Sequence, residues 1–395
     1  MPNESLDRFA KLKLDRLMTH GLRRSLIETH RTDSVNLRRN GRDLMSFCCN
    51  DYLGLTHHPT VKDAAAAAIA DHGVGAGASR LITGNHPLYA VLERKLAILK
   101  GTEAACVFGS GYMANVGILP ALAGADDLIV ADELGHASMH MGARAARAKF
   151  LTFRHNDPDD LANILARERA SAGTCLVVTE GVFSMDGDRA PLDVLAEVSA
   201  DRDAWLMMDD AHGFGVLGGG RGSAFEFNPL PDIPLQMGTL SKAVGVYGAF
   251  LCASAPVIEL MKNRARSLVY TTGLPPSVVA ASIVAVDIIS TDPGRVARPL
   301  ALARAFCNAV GLDAPESHVV PIIVGAETAA LEASVALEEA GFLVTPIRPP
   351  TVPVGTSRLR FTFTAEHSEE QVAALAAAVN ALEIDHGPAL RTAVG

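Results

Sequence analysis

Lys242 stands in the run Met237-Gly-Thr-Leu-Ser-Lys-Ala-Val-Gly-Val-Tyr-Gly248, which is small and apolar apart from Thr239 and Ser241. Burying an ammonium ion in such company is costly, so its pKa falls and the neutral amine becomes a nucleophile toward carbonyls. That is the chemistry of a Schiff-base lysine. A surface lysine following a strand is the plainer reading of this run by itself. Upstream, Trp205-Leu-Met-Met-Asp-Asp-Ala-His-Gly213 ends an apolar stretch on Asp209 and Asp210, with His212 close behind. A buried carboxylate needs a cation or several donors. A protonated pyridine nitrogen is such a cation, and His212 is near enough to donate to a phenolate oxygen on the same ring. Asp210 alone reads equally well as a helix N-cap.

A lysine for an aldehyde and a carboxylate for a ring nitrogen together describe pyridoxal 5′-phosphate, PLP. Its phosphate needs donors. The turn Gly109-Ser-Gly-Tyr-Met-Ala-Asn115 opens a helix whose first amides can supply them, through Ser110, Gly111 and Tyr112, with Thr239 as a hydroxyl.

Positioning these groups requires a scaffold. Short apolar runs at Ala104 to Phe108, Leu128 to Val130, Cys175 to Thr179, Ala204 to Met208, Leu235 to Met237 and Ala249 to Cys252 alternate with helical patterns. That alternation predicts an α/β fold with a mainly parallel central sheet covered by helices. Ligands in such folds sit beyond the carboxyl ends of the strands. The polar residues fall there: Ser110, His136, Glu180 to Ser184, Asp209 to His212, and Thr239 to Lys242. One strand–helix–strand crossover is expected between Asp209 and Lys242. Residues 4 to 30 read as an amphipathic helix and His86 to Lys100 as another. The pattern changes near Thr291-Asp-Pro-Gly294. The expected division is an N-terminal helix and strand segment at 1–55, a large domain at 56–290 and a smaller C-terminal α+β domain at 291–395.

The chain has 395 residues, 20% of them charged, and a net charge of −9 with no basic cluster. Nucleic acid and anionic membranes are not suggested as partners. The longest apolar run, Val278 to Ser290, is too short to span a bilayer and contains Asp287. The N-terminal run lacks the apolar core of a signal peptide. Six cysteines without Cys-x-x-Cys spacing read as reduced thiols of a cytoplasmic protein.

Two motifs mislead. Gly213-Phe-Gly-Val-Leu-Gly218 matches a dinucleotide fingerprint, but it runs into Gly219-Gly220-Arg221-Gly222 rather than a helix. His136 and His140 have the spacing of zinc ligands on a helix, without a glutamate at 137 or an evident third ligand. No metal is expected.

Five motifs occur in order: Asn50-Asp-Tyr-Leu-Gly54, Gly109-Ser-Gly-Tyr112, Thr179-Glu-Gly-Val-Phe-Ser-Met-Asp-Gly-Asp188, Asp209-Asp-Ala-His-Gly213 and Thr239-Leu-Ser-Lys242. Together they resemble the α-oxoamine synthases, a branch of the fold-type I PLP-dependent transferases, over roughly residues 20 to 365. The resemblance implies a decarboxylative condensation of an amino acid with an acyl thioester, in a homodimer with its active sites at the interface. Tyr270-Thr-Thr-Gly-Leu-Pro-Pro276 and Pro349 to Arg360 look most like the members that join L-alanine to pimeloyl-CoA or pimeloyl-ACP in biotin biosynthesis. Sister enzymes using glycine or serine are the alternative.

The resemblance also implies roles. Lys242 carries the cofactor and serves as base, while Asp209 pairs with the ring nitrogen. His212 and Ser184 attend the ring oxygen, and His136 stacks on the ring. Ser110, Gly111, Tyr112 and Thr239 bind cofactor and phosphate, with Thr272 reaching a phosphate across the dimer. Arg360 holds the amino-acid carboxylate, with Arg358 as its substitute on the same strand face. Arg23, Asn50 and Thr351 contact substrate.

Overall fold

The structure, a computed structural model, describes residues 4–19 and 22–382. Three strands, β1 (Thr29–Arg31), β2 (Asn36–Arg39) and β3 (Arg42–Ser46), form an antiparallel meander near the N-terminus. Seven more strands follow: β4 (Ala104–Phe108), β5 (Leu128–Asp132), β6 (Lys149–Phe153), β7 (Cys175–Glu180), β8 (Trp205–Asp209), β9 (Leu235–Thr239) and β10 (Ala249–Ala253). They make one sheet in the order β4-β10-β9-β8-β7-β5-β6. The neighbours from β6 through β9 pair in parallel, and β10 runs antiparallel to both β9 and β4.

Alternate residues on each strand feed opposite faces of the sheet. Ile129, Leu176, Val178 and Met207 pack under the helices Gly111–Leu122 and Ala137–Ala145. Leu128, Val130, Val177 and Leu206 pack under Pro158–Glu168 and Leu192–Ala200. Strands apolar on both faces are the mark of a sheet covered on both sides. The smaller sheet at the C-terminal end has the order β11-β14-β13, from β11 (Val319–Gly325), β13 (Thr345–Ile347) and β14 (Ser357–Thr362). A two-residue strand β12 (Phe342–Leu343) pairs in parallel with β3, so the N-terminal meander extends this end of the molecule. Phe47 is fully buried among Phe306, Phe361 and Phe363 there.

Two expectations need correction, and one strand was missed. The first helix runs from Glu4 to Thr19, not to residue 30, and Thr29–Arg31 is a strand. That helix buries none of its residues, so its apolar spacing does not record packing against its own chain. The crossover from β8 to β9 carries no α-helix, only short 3-10 turns at Gly218–Gly220 and Ser223–Glu226. β6 was not foreseen; it is an edge strand that begins on an exposed lysine and carries an exposed Thr152, which dilutes the apolar signal. Gly213 to Gly218 opens no α-helix, as its sequence context indicated.

The register places the functional ends side by side. Glu180 lies opposite Asp209, Asp209 opposite Met237, and Thr239 opposite Ala249. The segment after β7 is pinned by His155, which bonds Asp132 at 3.0 Å and Asp188 at 2.7 Å. Burial lowers the His155 pKa, but its two carboxylate bonds outweigh burial and push it up to about 10. A folded pKa raised above the unfolded value gives stability that is complete below the ordinary histidine range and lost as pH rises through about 10. His155→Gln should therefore cost about 1–3 kcal/mol at neutral pH, the range for a buried bond to a charged group. The gap from wild type should close as urea midpoints are taken toward alkaline pH. A constant gap would show that the imidazolium charge is not what holds the segment.

Candidate active site

Lys242 follows β9 on a turn that closes through Gly245 N–H to Lys242 O at 2.8 Å. Gly245 has φ +74°, and a Cβ there would lie 2.6 Å from the Thr56 amide nitrogen. Only glycine lets this turn pack against the 51–56 segment. Lys242 is partly buried, and its Nζ lies 2.8 Å from His212 Nε2. Burial lowers its pKa to about 8, against the opposing pull of Asp209 and Glu180. The neutral amine that the sequence called for is thus within reach near neutral pH.

His212 is buried, and its Nδ1 lies 2.6 Å from the Tyr52 hydroxyl. Tyr52 in turn donates to Asn50 Oδ1 at 3.1 Å. With that proton committed, His212 Nδ1–H donates to Tyr52, and Nε2 is left to accept from Lys242. Burial holds the His212 pKa well below the ordinary range, with Lys242 and Arg360 adding to the effect. Burial also pushes Tyr52 up to about 12, and the Arg360 guanidinium, which bonds its hydroxyl, opposes this.

Asp209 is buried and accepts from Asn115 Nδ2 at 2.8 Å and from the Ala211 amide at 3.0 Å. It has no salt bridge among the described residues. Asn115 also donates to Ser138 Oγ at 3.0 Å, and Ser138 Oγ lies 2.6 Å from His136 Nδ1. A continuous polar chain therefore joins Asp209 to the exposed His136. Beside it Glu180 is buried, its Oε1 without a hydrogen-bond partner among the described residues. Burial first, then the Asp209 charge, raises its pKa well above the carboxylate range.

Ser110 caps the helix Gly111–Leu122 by accepting from the Met113 amide at 3.2 Å. The first-turn amides of Gly111 and Tyr112 have no intrahelical acceptor. Thr239 Oγ1 donates to Gly248 O at 2.9 Å and lies 2.7 Å from Ser241 Oγ, which is on an exposed residue. A PLP-sized group fits this donor set. The buried Asp209 has room for a cationic partner, Lys242 offers an amine, and a helix N-terminus with two hydroxyls suits a phosphate.

The two arginines of β14 differ. Arg358 is bound to Asp186 and to Met185 O. Arg360 donates from Nε to Ser184 O at 2.5 Å and turns to the Tyr52 hydroxyl, beside His212 and Lys242. Arg23 is exposed, and it is the neighbouring Arg24 that bonds Thr351, at 3.2 Å. Thr272 is exposed and pairs with Ser79 in an isolated bridge. His140 stands edge-on to Phe150 at 5.5 Å, away from this cluster of bonds. The sequence reading gave no role to Tyr52, Asn115, Ser138, Glu180 or His318. Asn115 was legible, because it lies one helical turn past Gly111 and shares its face.

This geometry belongs to a known class. The aminotransferase class I and II family matches residues 42–379, and the chain belongs to that family. A protein of Methylocella silvestris named 8-amino-7-oxononanoate synthase is 60% identical over 87% of this chain and 98% of its own. One of Beijerinckia indica with the same name is 56% identical over 94% and 96%. A solved Serine Palmitoyltransferase of S. paucimobilis with a bound PLP-Myriocin Aldimine superposes with a TM-score of 0.88 at 31% identity, over 95% of this chain and 98% of that one. Within the family, the chain groups with the α-oxoamine synthases.

The lowered Lys242 pKa has a direct readout. In the cofactor-free protein, carbamylation of Lys242 by cyanate, followed by peptide mass spectrometry, should reach half its maximal rate near pH 8. Exposed lysines should lag well above that. A Lys242 midpoint among the exposed lysines would remove burial as the source of its reactivity.

Proposed function

We propose that this chain condenses L-alanine with a pimeloyl thioester, giving 8-amino-7-oxononanoate, CO2 and the free thiol, as a PLP enzyme of biotin biosynthesis. One observation carries the reading: Lys242 Nζ sits 2.8 Å from His212 Nε2, beside the buried Asp209, in a chain whose relatives at 56–60% identity bear that enzyme's name. When bound, PLP supplies an electron sink for a carbanion at the amino-acid Cα. The residues do the rest. Asp209 keeps the ring nitrogen protonated, and Asn115 and the Ala211 amide fix its carboxylate. The amides of Gly111 and Tyr112, with Ser110 and Thr239, hold the phosphate. His212 and Ser184 attend the ring oxygen, and His136 covers the ring, aligned through Ser138. Lys242 Nζ takes the Cα proton as a neutral amine.

Arg360 receives the substrate carboxylate, and Asn50, Thr351 and Arg23 or Arg24 border the acyl thioester. Because Arg358 is committed to Asp186, Arg360 is favoured over it. The carrier is coenzyme A or acyl carrier protein. We further propose a cytoplasmic homodimer in which Thr272 serves the partner's phosphate site. Val74, Leu81, Ile82 and Tyr270, all exposed apolar residues around the Ser79–Thr272 bridge, support such a contact. No single described helix is long and apolar enough to cross a membrane.

Thiol release from pimeloyl-CoA, measured with L-alanine, glycine and L-serine in parallel, tests the reaction. Release with alanine is expected; release only with glycine or serine would move the chain to a sister activity. Arg360→Ala should raise the alanine KM roughly 10- to 100-fold, the loss of a charge-assisted contact. Borohydride reduction of the PLP-loaded protein should fix the cofactor to the Lys242 peptide, and Lys242→Ala should abolish that mass shift. A shift that persists in the variant would put the covalent link on another lysine.

A further inference from the structure

We propose that Tyr52 is a positioning residue whose hydroxyl proton turns between Asn50 and His212, and so sets whether His212 accepts or donates at Nε2. The inference deepens the function proposed above and rests on it. Tyr52 is fully buried, and its oxygen lies 3.1 Å from Asn50 Oδ1 and 2.6 Å from His212 Nδ1. A phenol has one proton for these two acceptors. Arg360 also meets the hydroxyl, but a guanidinium only donates. His318 packs edge-on against the Tyr52 ring at 4.0 Å, and neither of its ring nitrogens has a hydrogen-bond partner among the described residues, so it braces the ring without taking the proton. The ring is fixed, and the O–H torsion is what remains free.

Two arrangements follow. With the Tyr52 proton on Asn50, His212 carries its own proton on Nδ1 and presents a lone pair to Lys242 Nζ at 2.8 Å. A ring oxygen bearing negative charge needs the opposite, an N–H at Nε2. His212 then requires a donor at Nδ1, and the Tyr52 proton supplies it by turning away from Asn50. Each arrangement holds one proton on the imidazole and one on the phenol; in passing between them the Nδ1–H bond breaks and an Nε2–H bond forms, one proton leaving to solvent and one arriving from it, so His212 reverses its polarity without net proton uptake. Burial favours this economy: the His212 pKa lies well below its usual range and that of Tyr52 at about 12, so neither group ionises.

Nitrogen NMR of the full chain labelled in histidine reads the tautomer directly. The chain has 13 histidines, and the His212 signals are assigned by their loss in His212→Asn. The cofactor-free protein should carry the proton on Nδ1, and the PLP-loaded protein on Nε2. Asn50→Ala removes the competing acceptor, so its cofactor-free form should already show Nε2–H. Tyr52→Phe should weaken PLP binding about tenfold, the effect of one lost hydrogen bond. An identical tautomer with and without PLP, or an Asn50→Ala spectrum like wild type, overturns the proposal while leaving the enzyme assignment intact. Failure of the unaltered protein to take up PLP overturns both.

Discussion

Glu180, Asp209 and Lys242 meet where β7, β8 and β9 end, and burial works against the charged forms of Glu180 and Lys242 there. Burial penalises every ion there. The Glu180 carboxyl yields first, its pKa raised well above the carboxylate range by burial and by the Asp209 charge. Asp209 accepts from two N–H donors, Asn115 Nδ2 and the Ala211 amide. Lys242 is pulled both ways: two carboxylates favour the ammonium, burial and Arg360 oppose it, and burial prevails, at about 8. The parallel register makes the conflict unavoidable, because it sets Glu180 directly opposite Asp209. A sheet pairing slipped by one residue would turn one of these carboxylates to the other face.

A second buried carboxylate lies next to the first in sequence. Asp210, next to Asp209, accepts from Ser223 Oγ at 2.6 Å and from the Ser223 amide at 3.0 Å. Lys100, equally buried, lies 3.5 Å from it and donates to Arg221 O at 2.7 Å. Breaking such a pair by removing one partner typically costs about 3–5 kcal/mol, because the other charge stays buried. The glycine-rich stretch that imitates a dinucleotide fingerprint is explained here. A Cβ on Gly222 would lie 1.8 Å from Asp210 Oδ2, and one on Gly213 would lie 2.2 Å from Asp210 Oδ1. These glycines make room for a carboxylate of the protein itself. The turn they form carries His212 from the end of β8 to its place against Tyr52 and Lys242.

What was legible in the sequence was what strand ends determine. Apolar runs closing on Asp209, Glu180 and Thr239 announced a covered sheet and its working edge, because burial on both faces leaves a continuous hydrophobic signature. The helix at 4–19 shows the limit of periodicity. Its spacing is real, yet it buries nothing within this chain, so a helical pattern alone did not reveal where the helix stops or what it packs on. The bonds of Tyr52 to His212 and of Arg24 to Thr351 were not legible, because each joins segments far apart in sequence. Tyr52 reaches His212 across 160 positions and Arg24 reaches Thr351 across 327. No local pattern encodes such a meeting.

That distinction separates reaction type from substrate choice. The solved serine palmitoyltransferase superposes over 95% of this chain with only 31% identity, so the backbone scaffold tolerates wide changes of sequence. Discrimination between amino acids that differ by a methyl or a hydroxyl rests on about 1–3 kcal/mol of pocket contact, too little to disturb such a scaffold. Here Arg24, from the segment before β1, bonds Thr351, from the loop between β13 and β14. Arg360, on the strand after that loop, is tied to Ser184 after β7 and to Tyr52 after β3. The strand ends can thus keep one chemistry while the loops around them change what is admitted to it.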